Sequence, residues 1–350
     1  MMKKVIALIL TVVMCAALCV GFTGCSGSGK TNLYVYNWGE YINEDVLDLF
    51  EKEYPQYNVI YDTFATNEEM YQKVAAKAIA YDVLIPSDYM IKRMSNEGLL
   101  KEIDVKSLKN YGNIRDSLKG TEFDPDEKYS VPYVWGTLGI LYNTKLVDEE
   151  IDSWTVLWNE KYNGQILMLD SVRDTMGFTL AMLGYSMNTR NEAEVNAARD
   201  KLLEAKHLFA DWGVDTNKDP MGNGSYAMTV TWSGDAMELM AENEDLAYVV
   251  PKEGSNVWID SMVIPVTSQN TEGALLFIDF LCRTDIATMN AEEIGYSTPS
   301  DAVLEELGED YINDEVFNPG EDILSRCETF VDLGEDLKYY NAAWEKIRLA

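Results

Sequence analysis

The chain has 350 residues, with 59 acidic against 28 basic side chains, a formal net charge of −31, and 47% hydrophobic residues. That apolar fraction excludes a disordered chain, and the acid excess excludes a nucleic-acid partner, because phosphate binding needs a basic face. The charge suits either a cationic ligand or a merely solvated surface, and the length suits about two domains.

The first element is a leader. Lys3 and Lys4 precede an apolar run from Val5 to Val20, and Gly21-Phe22-Thr23-Gly24-Cys25 follows. So short a run reads as a secretory signal rather than a membrane span. Small residues directly before a cysteine resemble a bacterial lipobox. That resemblance implies a signal over 1–24, lipidation of Cys25 and a flexible tether over 25–30; an ordinary signal cut nearby is the alternative. The expected location is outside the cytoplasm, either lipid-anchored at the outer face of the cytoplasmic membrane or periplasmic. Cys15 and Cys19 leave with the leader, so Cys282 and Cys327 are expected to remain as buried free thiols.

Gly24 to Thr31 matches the phosphate-loop pattern G-x-x-x-x-G-K-[ST]. The mechanism behind that pattern needs a strand before the loop and a helix after it. Here a leader precedes and a strand-like Leu33–Tyr36 follows, so the match is a coincidence of a Gly/Ser tether.

Beyond it, β-rich runs alternate with amphipathic stretches, which predicts α/β layers. After the strand Leu33–Tyr36, Asn43 caps a helix with Val46, Leu47, Phe50 and Tyr54 on one face. A strand at Tyr57–Thr63 precedes a capping box, Thr66 to Glu69, and a helix through Met70, Val74 and Ala78. Further strands are predicted at Tyr81–Ile85, Tyr129–Trp135, Leu138–Asn143, Gln165–Leu169, Tyr226–Thr231 and Val257–Val266. Helices are expected over Leu202–Ala210 and Thr271–Cys282, with Tyr311–Asp314 and Leu337–Arg348 as closing elements. Asp215 to Asp219 opens like a calcium loop. Pro220 stands where that loop needs glycine, and Tyr226 where it needs a bidentate glutamate, so no calcium is expected there.

In open α/β sheets ligands bind beyond the carboxyl ends of the strands. Those positions hold Asn37-Trp38-Gly39-Glu40-Tyr41, Pro86-Ser87-Asp88-Tyr89, Asp170-Ser171-Val172-Arg173-Asp174 and Trp232-Ser233-Gly234-Asp235; the strand-rich stretch near 258 adds Trp258-Ile259-Asp260, and the segment after Glu293 adds Gly295-Tyr296. In five of the six a flat ring or a hydroxyl accompanies a carboxylate, Gly295-Tyr296 adds a ring, and Arg173 is the one basic residue. A multiply charged organic cation is satisfied by such walls, with ammonium donors on carboxylates and methylenes against rings. Taken singly, each aromatic is better explained by packing and each acid by solvation; it is their recurrence that points to a ligand.

Four segments carry a resemblance: Tyr34 to Tyr41, Tyr81 to Ser87, Lys252-Glu253-Gly254 with Trp258 to Ser261, and Ile294 to Pro299. They resemble the PotD-type spermidine/putrescine-binding proteins of bacterial ABC importers, along essentially the whole mature chain. The resemblance implies a two-lobed, type II periplasmic-binding-protein fold closing over a polyamine. Lobe one would comprise about 31–135 and 258–303, and lobe two about 137–255 and 304–350. The hinge of two interlobe crossings would lie near Trp135-Gly136-Thr137 and Gly254-Ser255-Asn256. Trp38, Tyr41, Trp232, Trp258 and Tyr296 match the family's aromatic box. Glu40, Asp174 and Asp260 match carboxylates that hold ammonium groups, Gly39 lies in the same turn, and Ser87 and Tyr89 match polar wall positions. Two departures stand out: Ser171 where a second ligand acid is expected, and Phe330 where an amide often contacts ligand.

By that resemblance the partners are a polyamine and an ABC permease with its ATPase; the membrane is met through the lipid anchor, and a monomer without cofactor or metal is expected. The alternatives are a binding protein for another amine or a sugar, and a secreted glycoside hydrolase with two cleft acids. A Ser/His triad could be built only around the single histidine, His207, away from any strand end, so no enzyme is expected.

Overall fold

The computed structural model describes residues 29–350. The leader and Cys25 lie outside the described residues. Among the described residues, no helix is long and apolar enough to cross a membrane.

The strands are β1 (Thr31–Trp38), β2 (Tyr57–Phe64), β3 (Val83–Leu84), β4 (Ser130–Asn143), β5 (Ile166–Leu169), β6 (Phe209–Gly213), β7 (Met228–Trp232), β8 (Leu246–Val249) and β9 (Val257–Val263). The helices that matter here are α1 (Glu44–Glu53), α2 (Asn67–Ala75), α3 (Asp88–Asn96), α4 (Val172–Met182), α5 (Glu192–Ala205), α6 (Lys218–Gly222), α7 (Ser233–Glu242), α8 (Thr271–Leu281), α9 (Thr284–Ile294), α10 (Asp301–Leu307) and α11 (Leu337–Leu349). Asn43 caps α1 by accepting from the Asp45 amide, and Thr66 caps α2 through the Glu69 amide, as the sequence predicts.

The strand order is β2-β1-β3-β9-β4-β7-β5-β6, with β8 also on β4. Parallel pairs β1–β2 and β1–β3 build one half, and parallel pairs β5–β6 and β5–β7 the other. β4 joins them. Its residues 130–137 pair antiparallel with β9, and its residues 138–142 pair antiparallel with β7. Two strands predicted on either side of Gly136 are thus one strand of 14 residues.

Each half buries its central strands on both faces, as crossover helices require, and leaves its edge strands β2 and β6 partly exposed. Leu33 and Val35 of β1 enter one apolar cluster with Phe50, Phe277 and Ile278, whereas Tyr36 enters another with Met70, Met90 and Leu84. In the second half Ile166 and Met168 pack with Val195, Leu202, Tyr340 and Ile347, and Leu167 faces Leu141 and Leu239. Two cores on either side of β4 give the two-lobed fold.

Several local expectations are corrected. The helix around His207 ends at Ala205, and a short turn leads into β6; His207 is exposed and meets Glu160 at 3.0 Å. The rejection of the phosphate-loop pattern is borne out instead, because β1 starts at Thr31 and a strand rather than a helix follows it. Cys282 is buried and free, whereas Cys327, expected to be buried, is only half-buried, with its thiol on the Ile323 carbonyl at 3.3 Å.

Candidate functional site

The wall of the first lobe is set by three strand ends. Buried Asn37 accepts from the Trp38 amide at 2.8 Å and donates to the Tyr41 carbonyl at 3.3 Å, tying off the Gly39-Glu40 turn. Glu40 sits in the left-handed region there, at φ 50°. The turn sends Tyr41 inward, where its hydroxyl donates to Asp260 Oδ2 at 2.8 Å. Trp258 and Asp260 are two apart on β9 and so share a face. Ser87, before α3, pairs across the backbone with Asp260. Tyr296 follows the left-handed Gly295 that ends α9. Its ring centre lies 5.1 Å from Tyr41 and 5.2 Å from Trp258, and Trp38 lies 6.4 Å from Tyr41.

The facing wall comes from the ends of β5 and β7. Trp232 packs against the cores of both lobes. Ser171 donates to the buried Asp174 carboxylate. The Tyr296 hydroxyl reaches across to Asp235 Oδ1 at 3.2 Å. At two places the walls approach so closely that only glycine fits. A Cβ at Gly136 would lie 2.7 Å from Trp258 and 2.6 Å from Ser233 Oγ, and one at Gly234 would lie 2.3 Å from the Tyr296 ring.

Of the residues predicted from sequence, Trp38, Tyr41, Ser87, Trp258, Asp260 and Tyr296 therefore form one connected group. Ser171, Asp174 and Trp232 form a second on the facing wall. Tyr89 belongs to neither: its hydroxyl donates to Glu68 and its ring lies 6.5 Å from Phe330, with the buried Arg173 guanidinium 4.4 Å from Phe330. Gly39 is exposed, as is Glu40, whose carboxylate is held by Lys218 at 3.2 Å. The sequence reading missed Lys218, because it lies within the rejected calcium-like segment and no spacing ties it to a strand end.

Burial makes the acids of this region reluctant to ionise. Asp260, 4% exposed, is pushed up to about 7, with Ser87 and Tyr41 beside it opposing the shift. Asp88, also buried, is pushed up to about 8; the Tyr89 amide opposes this and the nearby Asp260 adds to it. Asp174 is raised by burial against the pull of Ser171, Trp232 and Arg173, and Asp235 by burial against the pull of Lys218. Asp260 Oδ1 and the indole nitrogens of Trp38 and Trp258 are buried without a hydrogen-bond partner. A buried, unpartnered carboxylate oxygen framed by rings is costly for the fold unless a donor meets it.

Two lobes sharing long strands, with rings and acids facing each other across the junction, define a solute-binding protein. The chain belongs to the bacterial extracellular solute-binding proteins, whose family model matches residues 45–318. It is 36% identical over 334 residues to a spermidine/putrescine-binding periplasmic protein of Salmonella typhimurium, covering 95% of this chain and 96% of that one. Among solved structures, a spermidine/putrescine ABC transporter protein from Listeria monocytogenes superposes with a TM-score of 0.88 at 41% identity, covering 91% of this chain and 99% of that one. The substrate-binding protein PotD of a spermidine/putrescine ABC transporter from Streptococcus pneumoniae gives a TM-score of 0.81 at 36% identity, with the same coverage. The type II binding-protein fold implied by the sequence resemblance is thereby borne out.

Proposed function

We propose that this protein captures a polyamine between its lobes outside the cytoplasm and delivers it to the permease of an ABC importer. The observation that carries the reading is the buried Asp260 carboxylate, with one oxygen on Tyr41 and the other unpartnered, among the rings of Tyr41, Trp258 and Tyr296. An ammonium supplies both the missing charge and the missing donor, whereas a neutral sugar would leave the charge uncompensated. Methylenes then lie against Trp38, Trp258 and Trp232. Asp174 holds an ammonium on the facing wall with Ser171 beside it, Ser87 completes the polar edge, Tyr89 stands beyond it with its hydroxyl on Glu68, and the Gly39-Glu40 turn borders the mouth.

Lobe one, on this reading, comprises 31–135 and 258–303, and lobe two 137–255 and 304–350. The main buried clusters support this division, since one is drawn from 138–230 with 330–347 and two from 33–135 with 258–296. Closure desolvates the ligand, so carboxylates act on it through a lower effective dielectric. The chain performs no chemistry on its ligand and works as a monomer, anchored through lipid on Cys25.

Isothermal titration with putrescine and spermidine tests the central claim: saturable heats are expected for at least one, and heats equal to dilution for both overturn it. A Cys25→Ala variant is expected to leave the membrane fraction for the medium or periplasm; retention in the membrane would remove the lipid anchor from the picture.

A further inference from the structure

Lys218 opens α6, and its Nζ lies 3.2 Å from Glu40 Oε2, 3.6 Å from Asp235 Oδ1 and 2.6 Å from Glu238 Oε2. Glu40 ends the turn after β1, while Asp235 and Glu238 stand on α7, so one ammonium ties the two walls together. The Asp235 oxygen that meets Lys218 also accepts from the Tyr296 hydroxyl. A protein cation therefore stands directly behind one ring of the box. Burial disfavours its charge, yet the three acids outweigh burial and hold its pKa above the ordinary lysine value. It is a permanent charge, not an adaptable one.

Resting on the polyamine reading above, we infer that Lys218 is a specificity-determining residue whose own ammonium fills the outermost cation position, so that the box takes a diamine in preference to a triamine. A third ligand ammonium at this end must either displace Lys218 from three carboxylates or sit beside a like charge in a half-buried site. Both are unfavourable, and selectivity of this kind comes from a repulsive element as much as an attractive one. The opposite end gives no relief. There the buried Arg173 guanidinium packs on Phe330, and Ser171 supplies no second carboxylate.

The test is calorimetric titration of the whole secreted protein with putrescine and with spermidine, for the wild type, Lys218→Met and Lys218→Arg. The wild type should bind putrescine at least tenfold more tightly than spermidine. Lys218→Met frees Glu40, Asp235 and Glu238, and should shift the affinity ratio towards spermidine by about tenfold or more. Lys218→Arg, which keeps the charge, should retain the wild-type ratio. Equal or tighter wild-type binding of spermidine overturns the inference even if Lys218→Met fails to fold. So does a ratio unchanged in Lys218→Met, and in both cases polyamine capture itself stands. Absence of heat with either ligand in the wild type sinks capture and the inference together.

Discussion

At the scale of single residues, Asp260 carries the most weight. Truncating one member of a desolvated charge pair costs on the order of 2–5 kcal/mol. Asp260→Asn should therefore weaken polyamine binding by roughly thirtyfold or more, with the fold intact, because an amide satisfies Tyr41 almost as well. Calorimetry together with a melting curve separates the two effects. Proton linkage gives a second prediction. Asp260 at about 7 and Asp88 at about 8 bind protons more tightly in the folded chain than unfolded, so the ligand-free protein loses stability as pH rises through the interval up to about 8. A bound ammonium favours the ionised Asp260, so capture expels a proton below about pH 7. Between pH 8 and pH 6 the ligand-free melting temperature should rise while the shift produced by ligand shrinks. A ligand-induced shift that grows on acidification would contradict the assignment. Asp88 was legible in the sequence because it follows a strand, and Asp260 because it stands two residues from Trp258 within a strand-rich stretch. What the sequence could not show is that Asp260 is buried with an unpartnered oxygen, or that Lys218 arrives from a loop remote in the chain to hold Glu40.

At the scale of elements, β4 and the β7–α7 junction set how close the walls come. The sequence shows β4 as two runs, because Gly136 interrupts the β-branched and aromatic pattern. The strand continues through it, since a glycine there admits Trp258 and Ser233 rather than ending the pairing. β6 was missed for a different reason. Phe209 to Gly213 carries an exposed Asp211 and lies at the sheet edge, paired with β5 alone, so it lacks the buried run by which β5 and β7 are recognised. α7 sets Gly234, its second residue, against the Tyr296 ring, and that contact is testable. A methyl at 234 meets a buried, rigid ring from the other wall, so it acts as a wedge between lobes more than as overpacking within one core. Gly234→Ala should lower polyamine affinity at least tenfold, while the melting temperature of the ligand-free protein moves by only a few degrees. A large loss of stability with affinity preserved would place that contact inside a lobe core instead.

At the scale of the whole molecule, the acid excess bears on how quickly a cation arrives. A chain with 59 acids and 28 bases surrounds itself with a negative potential, and a cleft lined by the same sign focuses it. The field reaches about 10 Å at 0.1 M salt and roughly 3 Å at 1 M. Encounter with a polyamine should therefore depend on salt much more than release does. Release breaks contacts inside closed lobes, where Trp232 and Trp258 pack at the junction and mobile ions do not penetrate. Stopped-flow tryptophan fluorescence, which these junction indoles should make sensitive to closure, separates the two rates. The association rate should fall about tenfold between 20 mM and 500 mM salt, with the dissociation rate changing less than threefold. The opposite pattern, salt acting mainly on dissociation, would mean that the ammonium groups remain solvated in the complex. The lobes would then not close tightly over Asp260, and the desolvation on which its affinity depends would be lost.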